Sequence, residues 1–144
     1  MPGTSPYIIA SRVVKGSYVA LISAARFHNI TSQLPNPILV FSNSYHRPIT
    51  IKDGYKVRFI KVNKRVIFGF NEYNNAYVSD IEKIFIDDIY YHRSLLYDEE
   101  LENTITKGIL DIDKMKSYVR VLNDGNVNKK LKGALKEFGI DLVV

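Results

Sequence analysis

The chain predicts a mixed α+β fold: an N-terminal helix packed on a small, mainly antiparallel sheet of three to six strands, followed by a C-terminal bundle of about four helices. Three observations carry this. Between residues 38 and 78 the apolar residues come in short β-branched and aromatic runs separated by turn residues. From residue 79 onward they recur at three- and four-residue spacing instead. A length of 144 residues suits one domain with a real core and is short for two. That domain is expected to run 7–144, strand-rich over 7–78 and helical over 79–144.

Residues 1–6 hold two Pro and a Gly and read as a disordered lead. Residues 7–14 form an apolar run closed by Lys15-Gly16, which reads as a short strand or extended arm. Ser17 then offers an N-cap for a helix over 18–29, where Ala20, Leu21, Ala24, Ala25 and Phe27 leave little polar surface. A helix so apolar packs tightly against a sheet. Asn29 suits its C-terminal stop, and Leu34-Pro35-Asn36-Pro37 turns the chain extended. Strands are predicted over 38–41, 49–52, 55–62 and 66–70. Asp53-Gly54, between Ile51 and Val57, is the sharpest local signal, because a type I′ hairpin turn needs positive φ at both central positions. A meander of three to five antiparallel strands follows from this. Residues 71–77 read as an Asn- and Tyr-rich connection, with Tyr77-Val78 adding a last short strand.

The period changes at residues 79–91. Ser79 and Glu82 have the capping-box spacing, in which the hydroxyl accepts from the backbone N–H of Glu82 and the carboxylate reaches back to Ser79. Ile81, Ile84, Phe85 and Ile89 then share one helical face, each worth about 1.5–3 kcal/mol when buried. Ile86 and Tyr90 widen it, which places the helix centrally. Asp87 and Asp88 point about 100° apart on such a helix and do not converge, so they read as a solvated or locally paired edge with Lys83 one turn before Asp87. Asp98, Glu99 and Glu100 open a further helix that Lys107-Gly108 closes, matching the macrodipole. Asp111 or Asp113 caps the next, with Met115, Tyr118, Val119 and Leu122 inward. Asn123-Asp124-Gly125 breaks it. The last helix, about 127–138, sets Leu131, Ala134, Leu135 and Phe138 against Lys129, Lys132 and Lys136, with Gly139 as its stop.

Composition excludes several classes of function. The absence of Cys removes disulfides, thiol nucleophiles and thiolate metal sites together. No run approaches the roughly 18 apolar residues of a spanning helix, and no signal peptide opens the chain, so a cytoplasmic protein without a membrane partner is expected. A net charge of +5 and a pI near 9.3 permit nucleic acid or an acidic protein surface. A metal-dependent nuclease commonly sets a carboxylate two residues before a Lys on one strand face. No Lys here is so preceded. His28, His46 and His92 share no ligand spacing, and neither a phosphate-binding Gly loop nor a nucleophile elbow is present. No catalytic residue, metal or cofactor is therefore expected. The competing reading, a metal-dependent nucleic-acid enzyme, has Asp80, Glu82 and Asp87 as its acidic cluster.

Two basic stretches offer contact surfaces. Lys129, Lys130, Lys132 and Lys136 could sit on phosphates, each contact adding about 0.9 to the log–log salt slope. The plainer reading is a solvated amphipathic face. Tyr45-His46-Arg47-Pro48 combines an aromatic ring, an imidazole and a guanidinium in a hairpin approach that suits nucleic acid or an acidic partner, against the plainer reading of a polar loop. Lys61, Lys64 and Arg65 add charge near the following turn.

Three blocks together resemble a known family. Residues 18–35, YVALISAARFHNITSQLP, resemble the helix and turn of the AbiEi-type antitoxin and transcriptional-regulator family. Phe59-Ile60-Lys61-Val62 with Phe68-Gly69 resembles its paired strand and FG block, and residues 78–87, VSDIEKIFID, resemble its acidic helix motif. Lys83 and Ile84 stand where that family has Arg and Thr. The resemblance spans roughly residues 7–139 and implies a cytoplasmic, non-enzymatic regulator paired with a nucleotidyltransferase-like toxin in a two-gene phage-defence module. It implies promoter DNA as a second partner, bound in that family by an N-terminal winged helix that these residues do not match. By the same resemblance Glu82 acts as a cap and Asp87 as a structural hydrogen-bond acceptor. A homodimer is compatible with all of this.

Overall fold

A computed structural model describes residues 5–33, 36–92 and 99–143. The chain forms two units, Met1–Asp80 and Ile81–Val144. Most of the predicted lead, together with Leu34, Pro35 and Asp98, lies outside the described residues.

The first unit is built on a mixed six-stranded sheet. Its strands β1 (Tyr18–Val19), β2 (Ile38–Ser42), β3 (Ile49–Thr50), β4 (Lys56–Lys61), β5 (Phe70–Tyr73) and β6 (Ala76–Ser79) lie in the order β3-β4-β2-β1-β6-β5. The antiparallel pairs are β3 with β4, β1 with β2 and β5 with β6. Between them β2 runs parallel to β4, and β1 parallel to β6. The expected meander is therefore corrected to two edge hairpins joined through central strands of mixed direction. The registers Val40↔Phe59 and Val19↔Val40 put Val19, Ile38, Val40 and Val57 on one buried face, while Tyr18, Phe41 and Ile60 fill the other.

Two helices of this unit were misplaced by sequence pattern. Residues 7–14 are not extended: α1 spans Pro6–Arg12, because Ser5 accepts from the backbone N–H of Tyr7 and Pro6 supplies the fixed φ of a first helical position. The predicted helix over 18–29 splits instead. Tyr18 and Val19 form β1, and α2 covers Leu21–Phe27. Ser17 does not cap it, since its hydroxyl donates back to the carbonyls of Val14 at 2.7 Å and Ser11 at 3.4 Å. Ala20 stays extended and donates to Leu39 O at 3.0 Å, so the helix starts only at Leu21, whose φ is +57°. α1 packs on β6, β1 and β2, and α2 on β2 and β6.

Both hairpin turns use positive φ. Asp53 (φ +63°) and Gly54 (φ +77°) join β3 to β4, the conformation the Asp-Gly pair requires. Asn74 (φ +48°) and Asn75 (φ +70°) join β5 to β6, so the stretch expected to be a connection is largely strand. The strand expected over 66–70 begins only at Phe70: Asn63 accepts from Arg65 N at 3.0 Å and winds Lys64–Val66 into a 3-10 turn, and Gly69 (φ +73°) follows.

The second unit contains α3 (Ile81–Tyr90), α4 (Glu99–Thr106), α5 (Ile112–Leu122) and α6 (Gly125–Lys136). α3 packs against both α5 and α6. Its residues Ile84, Phe85 and Ile86 are fully buried, as are Leu101, Met115, Leu131 and Leu135 of the other helices. Caps set the boundaries. Asp111 accepts from Lys114 N at 3.1 Å to start α5, Asn123 in the left-handed region (φ +52°) ends it, and Asp124 starts α6. α6 thus begins two residues earlier than its apolar spacing suggests.

Candidate nucleic-acid or partner interface

The acidic residues of α3 and its approach are engaged in structural contacts. Lys83 Nζ lies 2.8 Å from Asp87 Oδ1 with both side chains fully buried, so of the two expected readings the local pairing with Lys83 one turn earlier holds, and it is the solvated one that is corrected. Asp88 is also fully buried. Glu82 accepts from the backbone N–H of Asp111 at 3.0 Å and stands 3.7 Å from Lys114 Nζ. The capping box is not formed: Glu82 is turned to α5, and the Ser79 hydroxyl donates to the carbonyl of Asp80 at 3.1 Å. In the first unit, the Asp80 carboxylate accepts from Asn71 Nδ2 at 2.8 and 2.9 Å and from the Tyr73 hydroxyl at 2.5 Å. His28 Nε2–H donates to Ser79 O at 2.8 Å, with its ring edge-on to Tyr73. Among the described residues no group of three or more His, Asp or Glu is placed to hold a metal ion.

Lys129, Lys130, Lys132 and Lys136 are all exposed on α6, opposite the buried stripe Val127, Leu131 and Leu135. At 100° per residue, Lys129, Lys132 and Lys136 fall within about 60° of one another, and Lys130 stands on the other flank. The stripe is held in place by Asp124, which accepts from Asn126 N at 3.1 Å and Val127 N at 3.0 Å. Lys132 and Lys136 border a shallow hollow completed by Ile140 and Asp141. Phe138, expected on the apolar face, is 40% exposed.

In the first unit Tyr45 is 75% exposed and Arg47 is also exposed. His46 is half-buried, its Nδ1–H donating to Arg47 O at 2.7 Å and its ring lying 4.6 Å from that of Phe59. The imidazole therefore anchors the loop, leaving Tyr45 and Arg47 outward.

Sequence reasoning missed a third place. Arg12, Val14, Lys15, Gly16, Phe70 and Tyr77 surround a cleft of about 420 Å³ where α1 ends against the sheet. Reading residues 7–14 as extended hid it. The available signal was Ser5-Pro6 as a helix start, which would have put Lys15-Gly16 (Gly16 φ +81°) just past a helix end.

The fold and these surfaces define a mixed α/β protein that presents basic and aromatic groups from otherwise well-packed elements. The chain matches no protein-family model, and no curated protein matches it. No helix among the described residues is long and apolar enough to cross a membrane.

Proposed function

We propose that this chain is a non-enzymatic regulatory binding protein of the antitoxin and transcriptional-regulator type. In this reading it neutralises a nucleotidyltransferase-like toxin in the cytoplasm, as part of a phage-defence pair, and contributes to holding promoter DNA. The helices of the second unit act as a bundle that grips, with Lys129, Lys132 and Lys136 meeting phosphate or an acidic partner surface.

The observation that supports it most is the use made of the acidic residues. Asp87 is spent on Lys83, Glu82 on Asp111 and Lys114, and Asp80 on Asn71 and Tyr73. A nuclease needs carboxylates directed at a cation and a scissile phosphate. The lysines of α6, by contrast, face solvent.

The test pairs two measurements. The reading expects a nucleotidyltransferase gene beside this one, and coexpression with its product should relieve toxicity and recover a complex. Duplex DNA should be retained in a salt-dependent way, and replacing Lys129 and Lys132 with Ala should lower the log–log salt slope by roughly 0.9 for each phosphate no longer neutralised. Metal-dependent DNA cleavage that disappears in a folded Asp87→Asn variant would overturn the proposal.

A further inference from the structure

We infer that the cleft at the end of α1 is a binding site for a nucleotide, one planar base with its attached phosphate. The cleft lies wholly in the first unit and does not depend on the regulatory reading given above.

Its volume of about 420 Å³ falls within the roughly 300–1,000 Å³ of small-ligand sites. Phe70 is half-buried, and one face of its ring is stacked on Tyr18 with centroids 4.6 Å apart and planes 11° from parallel. The cleft is lined by what remains of the ring, its opposite face or its rim. Tyr77 stands at 88° to Phe70 with centroids 6.3 Å apart, so the two rings form a floor and a wall rather than closing on each other. Arg12 braces the wall. Its guanidinium lies 4.8 Å from the Tyr77 ring centroid, donates from Nε to Asn75 O at 2.9 Å and pairs with Glu72 at 3.2 Å.

Lys15 is the cation left for a ligand. It is exposed, lines the cleft and has no ion-pair partner among the described residues. Beside it the space around Gly16 is open, since a Cβ built there meets no heavy atom within 4 Å. An aromatic surface and an exposed ammonium lining the same cleft suit a base stacked on Phe70 with its phosphate on Lys15. Aliphatic anions would leave the aromatic floor unused, and a duplex would keep its bases out of reach.

The probe is a fluorescent adenine analogue, offered both as the free monophosphate and within a short single strand, with the duplex of the same sequence as control. Stacking should quench its emission saturably. Lys15→Glu should weaken binding at least tenfold without moving the thermal midpoint, because among the described residues that side chain has no ion pair to lose. Phe70→Leu should abolish quenching while the far-ultraviolet spectrum stays unchanged. Lys129→Ala with Lys132→Ala should leave the quench intact, which separates this site from the α6 surface. Quenching of the monophosphate assigns a free nucleotide as ligand; quenching of the strand alone assigns an unpaired base in a nucleic acid. No quench with either probe, or a quench that Lys15→Glu and Phe70→Leu both leave unchanged, overturns the inference.

Discussion

Lys83 and Asp87 form an ion pair 2.8 Å long inside the second unit, with neither side chain reaching solvent. Two charges withdrawn from water cost several kcal/mol each, and their attraction offsets this only while both are present. Asp87→Ala should therefore lower unfolding free energy by about 3–5 kcal/mol. The joint replacement Lys83→Met with Asp87→Leu should be close to neutral or stabilising. Urea unfolding of the two variants checks this; equal loss in both would mean that the charge balance is not what matters there.

Asp124 holds the first turn of α6 through two backbone N–H groups, at 3.1 and 3.0 Å. Asp124→Ala should cost about 1 kcal/mol, within the 0.5–2 kcal/mol range of such caps, and Asp124→Asn should recover most of it. The thermal midpoint reads the result.

Gly54 sits at φ +77° with open space around the position of a Cβ. Gly54→Ala therefore meets no steric obstacle beyond the backbone itself and should lose about 1–2 kcal/mol from the left-handed conformation alone. An alanine variant as stable as the parent would show that the turn can re-form with another geometry.

Burial lifts the Tyr7 phenol above its ordinary value; Arg26 opposes the shift and Tyr55 adds to it. The unfolded chain thus releases that proton first, near pH 10. The folded state binds more protons between the two values, so stability is complete below pH 10 and falls as pH rises toward the folded value. Urea midpoints measured on either side of pH 10 should show a smaller alkaline loss in Tyr7→Phe than in the parent.

What could be read from the sequence was what local chemistry decides. Asp53-Gly54 requires positive φ whatever the rest of the chain does, and Asp111, Asn123 and Asp124 cap their helices through neighbours two to four residues away. The parallel pairing of β2 with β4 has no such signature, since Ile38 meeting Val57 is a choice among distant partners. Tyr18 and Val19 have the same apolar character as the helix they precede, so only the sheet beside them decides that they are strand. Among site residues, the exposure of Lys129, Lys132 and Lys136 followed from the spacing of Leu131 and Leu135, although Phe138, read into the same stripe, is exposed and Val127 completes it instead. The Glu82 bond to Asp111 crosses 29 positions and could not. The cleft beside Lys15 needed α1, which the Pro of Ser5-Pro6 disguised as a breaker.

The sheet of the first unit is held across its middle by β1, which is two residues long. Tyr18 and Val19, extended by the single bond from Ala20 N, are the lateral tie between β2 on one side and β6 on the other. So narrow a strip behaves as a perforation line, and α1 and α2, each lying over strands from both sides of it, serve as splints. Whatever loosens those two helices would let the sheet tear there into two ribbons, while its outer hairpins stay whole.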